Sequence, residues 1–410
     1  MPSQAKLSFS RLRQIIDAGG ATHFLVLFGL ISTSLWFSSC GGKPSSTVST
    51  KVDYPTIDLT HYQDTAYLSS FVDSISYLPL ATPGEGMINE VDQLVITDDR
   101  LWIVDENQTK VWVYDKAGTF LFQIGTRGRG PGELAGISDL IVVPSKKQIF
   151  LSGAYRAMQQ FDWDGNLQRE WKATYYFQEA ALLNDSTYAL FTMVDNSYTV
   201  EEDIDLAYNL LLTNGNITQV KGKAAPYLQG VDNMLVHNRL SQEGDQLLFN
   251  YSYWDTIYQV TPTGITPAYC LEFGKHRFSQ DILSSLPRPF EQHNVHQEIR
   301  KLGVHSTIGR MFHTQDYLFA YTSVSSRTRI IVYHRPSGFT LYSNFLINDL
   351  TETFSIHLKE AHGRNLYYVL YPSELVEQDH PQAQKLLKQV GGEDAPPILM
   401  ICHLKELPLV

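Results

Sequence analysis

The chain has 410 residues, of which 43% are hydrophobic and 18% are charged, and its formal net charge is −11. This composition provides a large core and excludes an intrinsically disordered chain. The negative charge repels phosphate backbones and excludes nucleic acid as an expected partner.

The first 40 residues have the pattern of a bacterial lipoprotein signal. Three basic residues precede the apolar run Phe24 to Phe37. At about 14 residues this run is too short to cross a bilayer as a helix and has the length of an export-signal core. The following Phe37-Ser-Ser-Cys40 resembles a lipobox, in which the cysteine is acylated. We predict a signal peptide over 1–40, lipidation at Cys40 and a lipid anchor in the bacterial outer membrane; the alternative is an ordinary signal peptide or short membrane anchor.

After Cys40 the chain changes from a linker to a strand-forming sequence. Residues 41–53 are rich in Ser, Thr, Gly and Pro, which predicts a flexible tether. From Tyr54 onward, short apolar runs alternate with turn residues, as in Ile75–Leu80 and Arg100–Asp105. Runs of four to eight residues at intervals of about ten are typical of four-stranded antiparallel blades.

A strand, a turn and a glycine recur along the chain. The turn glycines are Gly118, Gly165, Gly215, Gly264 and Gly338, at separations of 47, 50, 49 and 74 residues. Periods of about 40 to 50 residues indicate propeller blades. A sixth blade is expected from Asn365–Leu370 and Ile398–Cys402, with Asp73–Leu80 closing the ring. The predicted fold is therefore all-β, a six-bladed β-propeller of four-stranded antiparallel blades over 54–410.

Two segments lack β character. Residues 278–302 and 372–390 are predicted to form short helical insertions or a lid. Insertions of this kind lie on one face of a repeat ring, often the face that binds.

Three stretches carry a resemblance to a known family. They are Ile124–Leu134 (IGTRGRGPGEL), the Asp255–Gly264 hairpin with Leu271–Gly274, and Glu393–Leu399. Over residues 60 to 410 the chain resembles the six-bladed β-propeller lipoproteins of Bacteroides-type bacteria, which look like distant relatives of NHL-repeat propellers. The resemblance implies an exported, lipid-anchored propeller and supplies no catalytic residues. The insertion before the fifth hairpin departs from the family pattern.

The glycine-rich stretch Gly125–Leu134 is a candidate binding site. Its glycines can expose several backbone amides to one anion, and Arg127 and Arg129 add positive charge beside Glu133. The alternative is a tight connection between blades, in which Glu133 caps local amides. The stretch lacks the ending and the βαβ context of a P-loop.

The other candidate motifs are better explained by turns and core packing than by metal binding or catalysis. His293, His296, His305 and His313 give a weak metal hint, but surface histidines in a polar insertion are expected, and no metal or cofactor is predicted. Asp162–Asn166 resembles the start of a calcium loop and is expected to be a turn. Cys270 and Cys402 are expected to be small buried residues, with a mutual bridge as the alternative. Five aromatic residues could stack on sugars or pack in the core: Trp163, Tyr175, Tyr176, Tyr253 and Trp254.

These patterns predict a ligand- or protein-binding module at the cell envelope with an envelope protein or a glycan as partner. The alternative is an enzyme, such as a lyase, lactonase or hydrolase, that uses the centre of the ring. A propeller supports either function, so the residues of the site must distinguish them.

Overall fold

The computed structural model describes residues 54–82, 84, 86–192, 205–227, 240–250, 253–287, 295–325, 327–355 and 358–409. Cys40 and the predicted signal peptide and tether lie outside these residues. Asp53–Val410 forms one compact unit, and every strand and helix below belongs to it. Among the described residues, no helix is long and apolar enough to cross a membrane.

Six sheets form the blades of a propeller, as predicted. The N-terminal segment supplies β1 (Thr56–Asp58), β2 (Gln63–Tyr67) and β3 (Val72–Pro79). Blade 1 contains β4 (Gln93–Ile96), β5 (Arg100–Asp105), β6 (Lys110–Asp115) and β7 (Phe120–Ile124). Blade 2 contains β8 (Ile137–Val143), β9 (Gln148–Gly153), β10 (Ala157–Asp162) and β11 (Leu167–Lys172). Blade 3 contains β12 (Glu179–Asn184), β13 (Thr187–Phe191), β14 (Tyr208–Asn214) and β15 (Val220–Pro226).

The last three blades incorporate the N-terminal strands. Blade 4 contains β16 (Leu240–Glu243), β17 (Gln246–Asn250), β18 (Thr256–Thr261) and β19 (Gly264–Glu272), with β1 parallel to β19. Blade 5 contains β20 (His305–His313), β21 (Tyr317–Val324), β22 (Arg327–His334) and β23 (Thr340–Ile347), with β2 parallel to β23. Blade 6 contains β24 (Leu358–His362), β25 (Asn365–Leu370) and β26 (Ile398–Leu404), and β3 is its fourth strand. Blades 4 and 5 thus gain a fifth strand beyond the predicted four, which covers an outer edge that would otherwise be open to pairing.

The ring closes where the two ends of the folded unit meet. β3 pairs antiparallel with β26 from Val72 opposite Leu404 to Pro79 opposite Ile398, which confirms the predicted closure. The first strands of the blades also contact one another in the order β4, β8, β12, β16, β20, β24 and back to β4. The first edge of the ring is therefore paired with the last.

The core lies between blades. Six clusters of buried hydrophobic side chains each combine residues of two consecutive blades. Between blades 1 and 2, for example, Trp102 and Val113 pack with Leu140 and Leu151. Fully burying one such side chain contributes about 1.5–3 kcal/mol. Six apolar interfaces of this kind stabilise the ring.

The turns between third and fourth strands contain the repeated glycines. Gly118, Gly165, Gly264 and Gly338 have positive φ, which a glycine adopts without steric cost. The third turn differs, because Ile217 has a φ of 56° there and Gly215 does not have positive φ. The repeat therefore predicted five hairpins, although one of them uses another residue for the left-handed position.

Four short helices lie in two connections. α1 (Gln280–Ser285) and α2 (Val295–Lys301) lie in the segment that joins blades 4 and 5. α3 (Pro372–Val376) and α4 (Pro381–Val390) lie between β25 and β26. The Ser279 side chain caps α1, and Gly391 ends α4 in a left-handed conformation.

The cysteines of the folded unit are free thiols. Cys402 is buried in the core between blades 5 and 6, as expected for a small apolar residue. Cys270 is only partly buried, at the edge where β1 pairs with β19.

Candidate functional site

The first strands of the six blades surround a central channel. Each first strand begins where the chain arrives from the previous blade, so these beginnings share one face, here called the connection face. The tight turns into the second strands lie on the opposite face, here called the hairpin face. A cavity of about 780 Å³ extends along the channel, with Asp92 and Glu179 at one end and Asp98 and Asp245 at the other. This volume is within the range of small-molecule sites.

The channel is strongly acidic. Of the described residues that line the cavity, one, His362, is basic and nine are acidic: Asp92, Asp98, Glu106, Asp139, Glu179, Asp185, Glu243, Asp245 and Glu360. Five of the six blades contribute one to three of these side chains each, and the lining residues of blade 5 are the apolar Met311 and Phe312. Those of the nine acids that are ionised attract cations and amines into the cavity and repel anions.

Two of the acids, Asp139 and Glu179, also form hydrogen bonds between neighbouring blades. Asp139 Oδ1 accepts a hydrogen bond from Gln93 Nε2 of blade 1 (3.1 Å), and its Oδ2 accepts one from the Ala180 amide of blade 3 (2.7 Å). Glu179 Oε2 accepts a bond from the Leu240 amide of blade 4 (3.0 Å). Burial, reinforced by the nearby Glu179, raises the pKa of Asp139 well above its usual range. These two acids have a structural role.

The hairpin end of the channel is narrowed by a bond between blades that are not neighbours. Glu243 is the last residue of β16, and its carboxylate accepts bonds from His362 Nδ1 (3.2 Å) and the Gly363 amide (2.8 Å) of blade 6. Burial alone would raise the pKa of Glu243, but these two hydrogen bonds lower it below its ordinary value. Glu243 is therefore a charged acceptor that crosses this end of the channel.

Two other channel acids, Glu106 and Glu360, have raised pKa values, although Glu360 Oε1 accepts a hydrogen bond from the Ala361 amide (2.7 Å). Burial, together with Asp92 and Glu90, raises the pKa of Glu106 to about 7, and Lys359 opposes the shift. Burial raises the pKa of Glu360 to about 8. Burial and the charge of Arg310 lower the pKa of Lys359, although the surrounding carboxylates oppose this effect. Glu106 and Glu360 thus line the cavity and change charge near neutral pH, and acids with such raised pKa values in a cavity are typical of functional sites.

The described residues show no cluster of three or more His, Cys, Asp or Glu side chains arranged to hold a metal ion. His305 and His313 are the first and last residues of β20, so they lie far apart along one strand. Both are buried, and the expectation of surface histidines is wrong for these two. His293 and the side chain of His296 lie outside the described part of the chain.

Gly125–Leu134 is a folded connection between blades 1 and 2 whose amides have partners in the protein. Gly130 N donates to Glu133 Oε2 (2.8 Å), and Gly132 N donates to the Glu170 carboxylate (3.0 and 3.1 Å). Arg127 donates to the Asn107 carbonyl (3.2 Å), and Arg129 is exposed. The arrangement favours the tight-connection interpretation, and anion binding by Arg127, Arg129 and Glu133 stays a prediction.

The calcium-like segment is a turn, as expected. Asp162 Oδ1 accepts hydrogen bonds from the amides of Asp164 (3.0 Å) and Asn166 (2.9 Å). These bonds, first among them the Asn166 amide, lower the pKa of the Asp162 carboxyl. The carboxylate thus caps its own turn.

Most of the aromatic candidates pack inside the protein. Tyr175 and Tyr253 are buried, and Trp163 and Trp254 are half-buried against hydrophobic clusters. Tyr176 is exposed and lies 5.0 Å from the Arg156 guanidinium. Only this last residue retains the exposure that sugar stacking requires.

One solved structure among the comparisons with known proteins, at a TM-score of 0.72, supports the propeller architecture. A family model described as "Domain of unknown function (DUF4934)" matches residues 54–403. A search of curated proteins finds no match. The structure of a Bacteroides fragilis protein that is thought to be exported is similar at a TM-score of 0.72 and 17% identity, over 86% of this chain and 100% of that one. A DUF4221 member from Bacteroides vulgatus has a TM-score of 0.48 at 12% identity, over 82% of this chain and 98% of that one.

Proposed function

This chain belongs to the family described as a domain of unknown function, DUF4934, and we propose that it is an exported binding protein whose central channel takes a ligand with positively charged amino groups. The observation that carries the proposal is the set of nine acidic residues and one histidine around a cavity of about 780 Å³. A protonated amine gains charge-assisted hydrogen bonds from such carboxylates.

The ligand class follows from the size and the chemistry of the channel. Carboxylate oxygens accept hydrogen bonds from hydroxyl groups as well as from amines. An oligosaccharide of amino sugars offers both kinds of donor and suits a cavity of this volume. We therefore infer that the partner is a glycan that carries free amino groups.

A titration of the 54–410 fragment tests this proposal, since all six blades are built from residues after Tyr54. The probes are a glucosamine trisaccharide and the neutral maltotriose, measured by calorimetry. We expect saturable binding of the glucosamine trisaccharide that weakens as salt is added. A flat titration with this probe, or equal binding of maltotriose, would contradict the proposal.

The site of action is proposed to be the cell envelope, with the chain held at the bacterial outer membrane by acyl groups on Cys40. The support is the apolar run and the lipobox-like sequence before that cysteine. More than one acyl chain gives stable anchoring, since each buried methylene contributes about 0.8 kcal/mol. Metabolic labelling with a palmitate analogue should mark the native chain and should fail to mark Cys40→Ala; labelling that persists in the variant would overturn the assignment.

A second candidate function is catalysis in the same channel. Glu106, with a pKa raised to about 7, and Lys359, with a lowered pKa, place proton-transfer groups beside the cavity. A lyase, lactonase or hydrolase would convert its ligand with time. Mass spectrometry of the glucosamine trisaccharide after prolonged incubation should show it unchanged if the chain only binds, and products whose formation requires Glu106 would favour the enzyme.

A further inference from the structure

The edge of blade 2 on the connection face carries the opposite charge to the channel. The basic residues at or near this edge are Arg127, Arg129, Arg156 and Lys172, and the acidic ones are Glu133, Asp139 and Glu170, in a protein of net charge −11. Of these acids, Asp139 lines the channel, and Glu133 and Glu170 accept bonds from backbone amides. The four basic side chains therefore exceed the two acids that remain at this edge, which gives it a small excess of positive charge.

A strained loop displays an aromatic ring at this edge. Tyr155 and Arg156 join β9 to β10 with φ values of 61° and 66°, in the left-handed region. Such a conformation costs on the order of 1 kcal/mol or more for each residue that is not glycine. Tyr155 is nevertheless 67% exposed, so burial of its ring does not compensate for the strain. Strain of this kind is concentrated at functional positions.

The loop is fixed from both sides. The Ala154 amide donates to the Gly136 carbonyl (3.3 Å), which belongs to the connection that includes Gly125–Leu134. Arg156 Nη1 donates to the Thr174 carbonyl (2.5 Å), and the Arg156 carbonyl accepts from the Ala173 amide (2.9 Å). The backbone on both sides of Tyr155 is thus held in place by the protein itself.

Two further side chains complete the surface. The Arg156 guanidinium lies 5.0 Å from the centre of the exposed Tyr176 ring, which orients it by a cation–π contact. Lys172 is exposed and pairs with Ala157, the residue after Arg156. Because Lys172 lies two residues after Glu170, it shares the face of β11 on which Glu170 binds Gly132.

We propose that Tyr155, Arg156, Lys172 and Tyr176 form a second binding site, here called the rim site, for the acidic sugar residues of an oligosaccharide. A tyrosine ring accepts the apolar face of a pyranose, and guanidinium and ammonium groups bind the sugar carboxylate. The exposed Arg129 adds to the positive field from the neighbouring connection. The choice of a sugar over a nucleotide rests on the proposed function, because an exported chain meets polysaccharides outside the cell.

The test is a fluorescence titration of the 54–410 fragment with labelled trigalacturonate, with labelled maltotriose and a labelled thymidine trinucleotide as the other probes. We expect binding of trigalacturonate that decreases with salt, and a loss of about tenfold in affinity for Arg156→Met and for Tyr155→Asn. Tyr155→Asn is the more informative variant, because asparagine tolerates the left-handed conformation and should keep or raise the melting temperature while binding is lost.

Variants of the channel and of the rim site distinguish binding at one site from binding at the other. Glu106→Gln should leave the affinity for trigalacturonate unchanged, whereas Tyr155→Asn should leave binding of the glucosamine trisaccharide unchanged. No binding of trigalacturonate, equal binding of maltotriose or of the trinucleotide, or rim variants with native affinity would overturn the rim site without affecting the proposal for the channel.

Discussion

The side-chain amide of Gln93 in blade 1 pairs with the backbone of Leu140 in blade 2 as a neighbouring strand would. Gln93 Nε2 donates to the Leu140 carbonyl (3.2 Å), and the Leu140 amide donates to Gln93 Oε1 (3.0 Å). One side chain thus satisfies both backbone groups of a buried residue on the next blade. Specific polar pairs of this kind fix how adjacent blades meet beside the channel.

Replacing Gln93 tests this pairing. Gln93→Met keeps the approximate volume and leaves the buried Leu140 amide and carbonyl without these partners, which should cost about 2–3 kcal/mol of unfolding free energy. Urea denaturation measures the loss. Gln123→Met is the matched control, since Gln123 is exposed on β7. Equal stability of the two variants would show that the pairing contributes nothing.

The channel acids should make stability depend on pH. Burial raises the pKa of Glu360 from 4.5 to about 8, so the folded state favours its neutral form. The stability that the neutral Glu360 carboxyl contributes is fully present below about pH 4.5 and is lost as the pH rises through 8. Glu360→Gln should therefore match the native chain near pH 4.5 and exceed its unfolding free energy by about 1 kcal/mol or more at pH 9. Denaturation curves from pH 4.5 to 9 measure this, and Glu393→Gln, an exposed position, should show no such divergence.

The buried His305 should make the unfolding free energy fall at acidic pH, whereas Glu360 makes it fall at alkaline pH. Burial, with a contribution from Arg277, lowers the pKa of His305 from 6.5 to about 3, and its ring stacks on Phe273 at 4.2 Å. The neutral ring is compatible with the fold above pH 6.5, and stability is lost as the pH falls from 6.5 toward 3. His305→Phe preserves the stacking and cannot be protonated.

Acid unfolding of this variant provides the measurement. At pH 4, His305→Phe should exceed the native chain in unfolding free energy by on the order of 2 kcal/mol, with a smaller difference at pH 7.5. His61→Phe changes an exposed histidine and should leave the acid limb unchanged. Identical acid limbs for His305→Phe and the native chain would contradict the assignment of His305 as a buried neutral group.

Arg329 of blade 5 makes a cation–π contact with Tyr62 of the N-terminal segment. Its guanidinium lies 3.6 Å from the centre of the Tyr62 ring, and Nε donates to Asn344 Oδ1 (3.0 Å). Arg329→Met should loosen the segment before β2, because a desolvated cation–π contact contributes about 2 kcal/mol. Hydrogen exchange of residues 59–67 should accelerate in this variant and stay native in the exposed Arg327→Met. Unchanged exchange in both would mean that strand pairing alone holds the segment.

The repeated turns made the fold predictable from sequence. A turn between the third and fourth strands of a blade needs one residue in the left-handed conformation. Where that residue is glycine, it recurs in the sequence once per blade. Ile217 shows the limit of that rule, because the third turn places a branched residue in this conformation. Closure by β3 was also predictable, since an isolated early strand needs a partner edge.

The candidate site could not be predicted in the same way. Glu106 of blade 1 is far in sequence from Lys359 and Glu360 of β24 in blade 6, and neither segment carries a recognisable motif. The consecutive glycines and arginines of Gly125–Leu134 suggested an anion-binding site from the sequence. In the structure, however, the amides of this segment donate to the carboxylates of Glu133 and Glu170. Acidic residues on separate strands and turns of five blades form one charged channel only once the ring has closed.

The most direct test of the channel proposal compares the affinity of the glucosamine trisaccharide for the native chain, Glu106→Gln, Glu360→Gln and the surface control Glu393→Gln, by calorimetry at pH 7.0, where part of the sugar amines is still protonated. With its pKa raised to about 7, Glu106 is about half ionised there, and loss of its charge should weaken binding by a factor of about 3 to 10. Glu360→Gln should weaken binding less, because a pKa of about 8 leaves Glu360 mostly neutral at this pH, and Glu393→Gln should bind as the native chain does. Native affinity in both channel variants would contradict the central claim that this ligand binds in the acidic channel.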